Sequence, residues 1–221
     1  MAIFEDRNRA TSFGADAGRY DRRRPAYPTE LVDRLTGDSP GDAVDVGCGT
    51  GLLGTMLRAR GWNVTGVESD ERMAAVAERN GLAVEVSTFE TWDARARRFD
   101  LVACAQAWHW IDPAIGLARA ASVLRTGGRI ALIWNSYRYD EPIARLLAGV
   151  VERHSSNLLL DSVFLGTTDS DHRQADIERF EAHASDFEPP TVETFEHHRD
   201  LTVDHWLDEL PTHSQFATLP P

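Results

Sequence analysis

The stretch Ala43-Val-Asp-Val46 followed by Gly47-Cys-Gly-Thr-Gly51 decides how the rest of the chain is read. A short apolar run suited to a strand gives way to a loop with glycine at every second position. Leu52 to Arg60 then carries Leu53, Met56 and Leu57 on one helical face. Glycines let a backbone turn tightly and let a ligand approach it. The helix that follows offers free N–H groups and the positive end of its dipole. Strand, glycine loop and helix in that order open a βαβ unit, and such units make parallel sheets that bind ligands at the carboxyl ends of their strands.

The same alternation continues outward from the loop. Asn63 to Val67 reads as the second strand, and Asp70 to Arg79 as a helix with Asp70 at its N-cap. Leu82 to Val86 is the third strand, and Thr88 to Ala94 a short helix or turn. Phe99 to Ala105 is the fourth strand. Pro113 to Leu124 is a helix, with Asp112 as cap and Pro113 at its first position. Gly127-Gly128 closes it, and Arg129 to Trp134 is the fifth strand. Strands this continuously apolar are covered on both faces. The expected architecture is a doubly wound α/β fold with a mostly parallel, Rossmann-like sheet. Residues 1–40 form a helical cap, 41–139 the ligand-binding core, and 140–190 a helix followed by a lid inserted before the last strand. Residues 191–221 hold a final strand over Thr191 to Thr202 and a helix over Val203 to Leu210. The lid and residues 1–20 are expected to order on ligand binding.

The 221 residues suffice for one domain with a full core. A net charge of -12 argues against nucleic-acid partners, which require a basic face. Cys48 and Cys104 follow different strands, suggest no metal site, and suit a reducing cytoplasm. The N-terminus is too polar for a secretory signal, and no run is apolar enough to cross a membrane. A cytoplasmic monomer or homodimer is expected.

Glu68 ends the second strand, where an acid accepts hydrogen bonds from ribose hydroxyls. Gly49-Thr-Gly51-Leu-Leu-Gly54 is also a literal G-x-G-x-x-G, a dinucleotide signal that is weak by itself. Three features favour a methyl donor over a nicotinamide or flavin. Asp45 lies inside the strand end, placed to order the loop and meet an ammonium. Gly47 is an extra leading glycine. Glu68 follows Gly54 after only a short helix.

Asp45-Val-Gly-Cys-Gly-Thr-Gly51 resembles the first motif of class I S-adenosylmethionine-dependent methyltransferases. Glu68-Ser-Asp-Glu-Arg-Met73 is similar to their second motif, with Ser69 where proline is common. Phe99-Asp-Leu-Val-Ala-Cys-Ala-Gln-Ala-Trp-His-Trp110, Leu124-Arg-Thr-Gly-Gly-Arg129 and Arg19-Tyr-Asp-Arg-Arg-Arg-Pro-Ala-Tyr-Pro28 resemble a small-molecule subgroup of methyltransferase type 11 that includes trans-aconitate methyltransferase-like proteins. The resemblance spans roughly residues 13 to 139. It implies S-adenosylmethionine as cofactor, S-adenosylhomocysteine as product, and a small-molecule acceptor. Gly47, Gly49 and Gly51 then line the methionine part and Glu68 the ribose. Met73 lies under the adenine, whose edge is met by Thr88, Phe89 and Glu90, although Phe89 stands where the family has a small residue. Ala105, Gln106 and Trp108 face the sulfonium, while Trp110 packs the core. Tyr20 and Arg24 fold over the cofactor, and Arg24 suits a carboxylate. Tyr27, Asn135, Tyr137 and Arg138 are acceptor candidates. His109 is a candidate base, needed only where the acceptor carries a proton. An Asn/Asp-Pro-Pro-Tyr/Phe signature is missing after the fourth strand, so adenine-N6 or glutamine methylation is not expected. O-methylation, of a carboxylate in particular, is preferred. A nicotinamide-dependent oxidoreductase and a cofactor-binding protein without catalysis are the competing readings.

Overall fold

The computed structural model describes residues 3–154, 174 and 177–213. Five parallel strands form one sheet in the order β3-β2-β1-β4-β5. They are β1 (Asp42–Val46), β2 (Asn63–Glu68), β3 (Ala83–Val86), β4 (Phe99–Ala105) and β5 (Leu124–Ile133). β1 lies between β2, with Asp45 opposite Gly66, and β4, with Asp45 opposite Ala103. The strand order reverses beside β1, and that reversal opens a crevice at the carboxyl ends of the strands.

Helices cover both faces, as the expected doubly wound fold requires. On one face Val44, Val46, Val102 and Cys104 pack against Leu117, Ala120 and Val123 of α6 (Pro113–Val123). On the other, Ala43, Leu101 and Ala103 pack against Leu53 and Leu57 of α4 (Leu52–Ala59) and Val32 of α3 (Thr29–Thr36). The capping acids behave as their positions predict. Asp70 accepts from the Arg72 amide at the head of α5 (Glu71–Arg79), and Asp112 accepts from Ala114 and Ile115. At the opposite end of the sheet Arg125 bridges Asp42 at 2.7 Å and Asp100 at 2.5 Å.

The cap is more segmented than the sequence implies. Short turns and α1 (Arg7–Ala10) lead into α2 (Ala17–Arg23), and Phe13 and Tyr20 pack on Ala17, Met73 and Val76. Gly14 sits so tightly on Asp70 that a Cβ there would lie 2.1 Å from its carboxylate.

Two expectations for the second half fail. Residues 191–202 form no strand. The segment pairs with neither edge strand of the sheet, and exposed side-chain ion pairs join it to the rest, Arg34 to Glu193 and Arg138 to Glu196. Of the expected lid, 155–173 lies outside the described residues, but 177–187 is docked. Phe180 is buried in the α6-side core, and Ala184 and Phe187 pack beside it. A phenylalanine so placed contributes about 3 kcal/mol relative to alanine. Phe180→Ala should therefore lower unfolding stability in urea by about that much. A loss below roughly 0.5 kcal/mol would mean that this segment is a lid after all.

Candidate functional site

The loop from Gly47 to Gly51 turns on three left-handed glycines, at φ 62°, 56° and 85°. A Cβ on Gly47 would lie 2.4 Å from the Ala107 Cβ, so the loop and the chain leaving β4 touch through a missing side chain. Gly51 turns the other way, toward Ala77 and Leu82, and serves packing rather than the crevice.

Two carboxyls hold this loop in shape. Asp45, 1% exposed, accepts from the Gly54 amide at 2.9 Å. Glu68 accepts from the Gly49 amide at 2.9 Å through one oxygen and from the Asp70 amide at 2.8 Å through the other. Burial pushes the Asp45 carboxyl up to about 7, against the Gly54 N–H and with added repulsion from Glu68. Glu68 is raised as well, by burial, against the pull of the Asp70 and Gly49 amides. Buried acids facing one another favour a cationic ligand.

A cavity opens beside them, lined by Tyr20, Tyr27, Asp45, Gly47, Gly49 and Ala105, and also by Cys48, Thr50, Leu52 and Leu53. The Thr50 hydroxyl is buried with no hydrogen-bond partner, and so is the Gln106 amide nitrogen. Met73 and Tyr20 close over Gly49, at 3.5 and 4.0 Å from where its Cβ would stand. Tyr27 is buried among Tyr20, Asp45 and Arg24, and burial raises its phenol well above the usual value.

Asp45, Gly47, Gly49, Glu68, Met73, Ala105, Tyr20 and Tyr27 therefore come together. Others do not. Phe89 is core, stacked on Trp92 at 6.2 Å. Thr88 shares its hydroxyl with Thr91, and Glu90 accepts from the Asp112 amide and borders a shallow outer groove along α6. Both tryptophans are buried, and Trp108, expected at the sulfonium, does not line the cavity. Trp108 is buried in the α6-side core, whereas Trp110 meets Phe13 of the cap edge to face, with Arg9 over its ring. The cause is the 3-10 turn Trp108–Trp110, which sends residues two apart in different directions. His109 lies on Trp110, away from the loop cavity. Burial and the charges of Arg9 and Arg179 push its imidazole down to about 4. Gln106 adopts φ 61° and donates its backbone N–H to the Ile133 carbonyl. Arg138, 79% exposed, pairs with Glu196 on the surface and does not face the cavity. Asn135 is half-buried at the exit of β5.

Tyr137 and Arg24 lead to residues the sequence did not single out. Tyr137 donates to Glu209 at 3.1 Å, and Arg24 donates to the Thr212 carbonyl at 2.9 Å. No local pattern marks Glu209 or Thr212. Thr50, by contrast, stands inside the quoted loop and was available to be named.

Residues 44–132 match the family described as Methyltransferase domain. An uncharacterized methyltransferase of Mycobacterium tuberculosis is 41% identical over 133 residues, 59% of this chain and 54% of that protein. A ubiquinone biosynthesis O-methyltransferase of Aromatoleum aromaticum is 33% identical over 109 residues, 46% of this chain and 47% of that protein. The chain spans about half the length of these curated relatives. A TehB-like methyltransferase structure from Corynebacterium glutamicum shares 20% identity over 53% of this chain and 72% of that one, with a TM-score of 0.48.

The raised Asp45 carboxyl has a consequence for folding. Its contribution to stability is complete below the unfolded value of about 4 and is lost as pH rises through about 7. Urea denaturation of the ligand-free protein should show stability declining between about pH 4 and about pH 7, and declining less steeply in Asp45→Asn. Equal slopes for the two proteins would exclude Asp45 as a buried acid titrating in this range.

Proposed function

We propose that this chain, whose residues 44–132 belong to the methyltransferase domain family, transfers the methyl group of S-adenosylmethionine to a small-molecule acceptor. The observation that carries this reading is the Glu68 carboxylate, buried at the tip of β2 and joined to the Gly49 amide of the neighbouring loop.

The residues suit the cofactor in charge and in hydrogen bonding. The Glu68 oxygen that accepts the Gly49 amide has lone-pair capacity left for a ribose hydroxyl, while the other already takes the Asp70 amide and the Ser69 hydroxyl. The unpartnered Thr50 hydroxyl offers a further polar contact. Asp45 and Glu68 would repel the pyrophosphate of a dinucleotide but attract an ammonium and a sulfonium. This sign argument favours the methyl donor over the oxidoreductase reading. When bound, S-adenosylmethionine supplies an electrophilic methyl group on a positively charged sulfur.

The chain's own work is alignment and exclusion of water. Asp45 and Glu68 fix the donor at two points on adjacent strands. Tyr20 and Tyr27 cover the loop and Ala105 forms the floor, so the cavity is walled by aromatic and small apolar groups. His109 takes no part as a base, because it faces Trp110 and Arg9 rather than this cavity. An acceptor that is already anionic needs no base, and a relative named as an O-methyltransferase supports oxygen as the acceptor atom.

Calorimetry tests the reading. The protein should bind S-adenosylhomocysteine and fail to bind nicotinamide dinucleotide. Gly49→Val should abolish binding, and Glu68→Ala should weaken it by about 100-fold, the loss of two charge-assisted hydrogen bonds. Affinity should also fall as the pH is lowered through about 7, where Asp45 takes up a proton. Undiminished binding by Gly49→Val would refute this placement of the site.

A further inference from the structure

Helix α5 holds the cap at its head, its middle and its tail, and both ends also hold the ligand loop or its acids. At the head, the buried Asp70 gives its amide N–H to Glu68 at 2.8 Å. Its carboxylate takes the Arg72 guanidinium through both oxygens, at 2.9 and 2.6 Å. The same guanidinium donates to the Thr11 carbonyl of the cap at 2.9 Å. Gly14 is pressed onto this pair, and a Cβ there would also lie 2.6 Å from the Arg72 Nε. At the tail, the Asn80 side-chain amide donates twice. It reaches the Asp21 carboxylate of α2 at 2.9 Å and the Thr50 carbonyl of the loop at 3.0 Å.

Between these ends the cap is held by apolar packing. Met73 and Val76 cluster with Ala17, and Phe13 and Tyr20 pack against them. Such packing is non-directional and lets one helix rock on another. Hydrogen bonds are directional and fix the register. Arg72 and Asn80 stand about 12 Å apart along the helix, so the two ties together resist rocking as neither could alone. Each tie has a second member on the ligand side, Glu68 at one end and Thr50 at the other. Tyr20, the cap residue that lines the cavity, packs on the apolar stretch between them.

We infer that Arg72 and Asn80 are positioning residues, which seat the cap on α5 in register with Glu68 and the loop and so fix the Tyr20 wall beside whatever Glu68 holds. Neither residue lines the cavity, and both are exposed. The mechanical consequence is slow release. A ligand leaves past Tyr20 when the cap rocks away, and ties that bind cap and loop to one helix oppose that motion. The inference rests on the methyltransferase reading for its ligand, S-adenosylhomocysteine, but not for the seating itself.

Two measurements on the full chain test it. One is hydrogen exchange of the amides from Phe13 to Tyr20 in the ligand-free protein. The other is release of labelled S-adenosylhomocysteine after an unlabelled chase. Arg72→Gln should speed both by about tenfold and Asn80→Asp by about fivefold, in line with the loss of a charged and of a neutral hydrogen bond. The number of ligand sites and the unfolding midpoint should stay as in the parent, which separates seating from loss of fold. Arg72→Lys, which keeps a donor for the Thr11 carbonyl, should recover part of the slow release. Adding Asp21→Asn to Asn80→Asp exchanges donor and acceptor and should restore the tie to the cap. Parent-like exchange and release in both single variants would overturn the inference, and so would faster exchange with unchanged release. Failure of both rescues would count against it equally. If the parent binds no S-adenosylhomocysteine, the methyltransferase reading itself fails, and exchange alone then decides whether the two ties seat the cap.

Discussion

Two carboxyl groups sit near the tips of adjacent strands, Asp45 fully buried and Glu68 partly so. Asp45 is the last residue but one of β1, Glu68 ends β2, and the register pairs their neighbours Val46 and Val67. Among the described residues neither acid has a cationic side chain as its partner; backbone amides, with the Ser69 hydroxyl at Glu68, satisfy both. Those amides belong to the glycine loop and to the head of each following helix. The acids therefore hold the loop open, and the loop's N–H groups make the acids tolerable. The left-handed turns at Gly47 and Gly49 belong to the same arrangement, because they bring the loop past Ala107 and under Tyr20 without side chains in the way. A site built from two buried acids and converging amides is selective for charge before it is selective for shape.

The part of the fold that was legible in the sequence is the part made of contiguous elements. The first four strands are marked by apolar residues, each helix between them announces its start by an acid at the N-cap or a glycine loop, and β5 is apolar only from Ile130 on, so its start at Leu124 was not legible. The misplaced strand at 191–202 shows the limit of that reading. Val192, Thr194 and Phe195 favour extended structure, but a strand exists only where an edge accepts it, and here side-chain pairs from Arg34 and Arg138 hold the segment instead. Phe89 fails for a related reason. Its position after β3 implied a ligand contact, yet a large ring beside Trp92 and Phe99 gains more from the core. Trp108 and Trp110 could not be told apart without knowing that the intervening turn is 3-10.

The remainder of the site depends on contacts that no window of sequence contains. Arg23 and Asp208 are 185 positions apart, Arg24 and Thr212 are 188, and Tyr137 and Glu209 are 72. Each member is an ordinary surface residue by local criteria. Together they clamp the cap to the last described helix, Val203–Glu209, and bury Glu209 and His213.

The result is a cavity with an electrical direction. Its floor, formed by the domain of residues 44–132, is acidic: Asp45 and Glu68 lie there within a low-dielectric wall, where a cation is stabilised far more than it would be in water. Behind one of its walls, Arg24 lies over the Tyr20 ring at 5.1 Å, and it comes from chain outside that domain. A ligand carrying both signs can satisfy the two ends only in one orientation, whereas a ligand carrying one sign satisfies one end and leaves the other uncompensated. Discrimination of that kind needs no lid and no base. Tyr20 lines the cavity and carries Arg24 over its ring, so the cap does more than cover the loop: it brings a positive charge to within one aromatic ring of the acidic site.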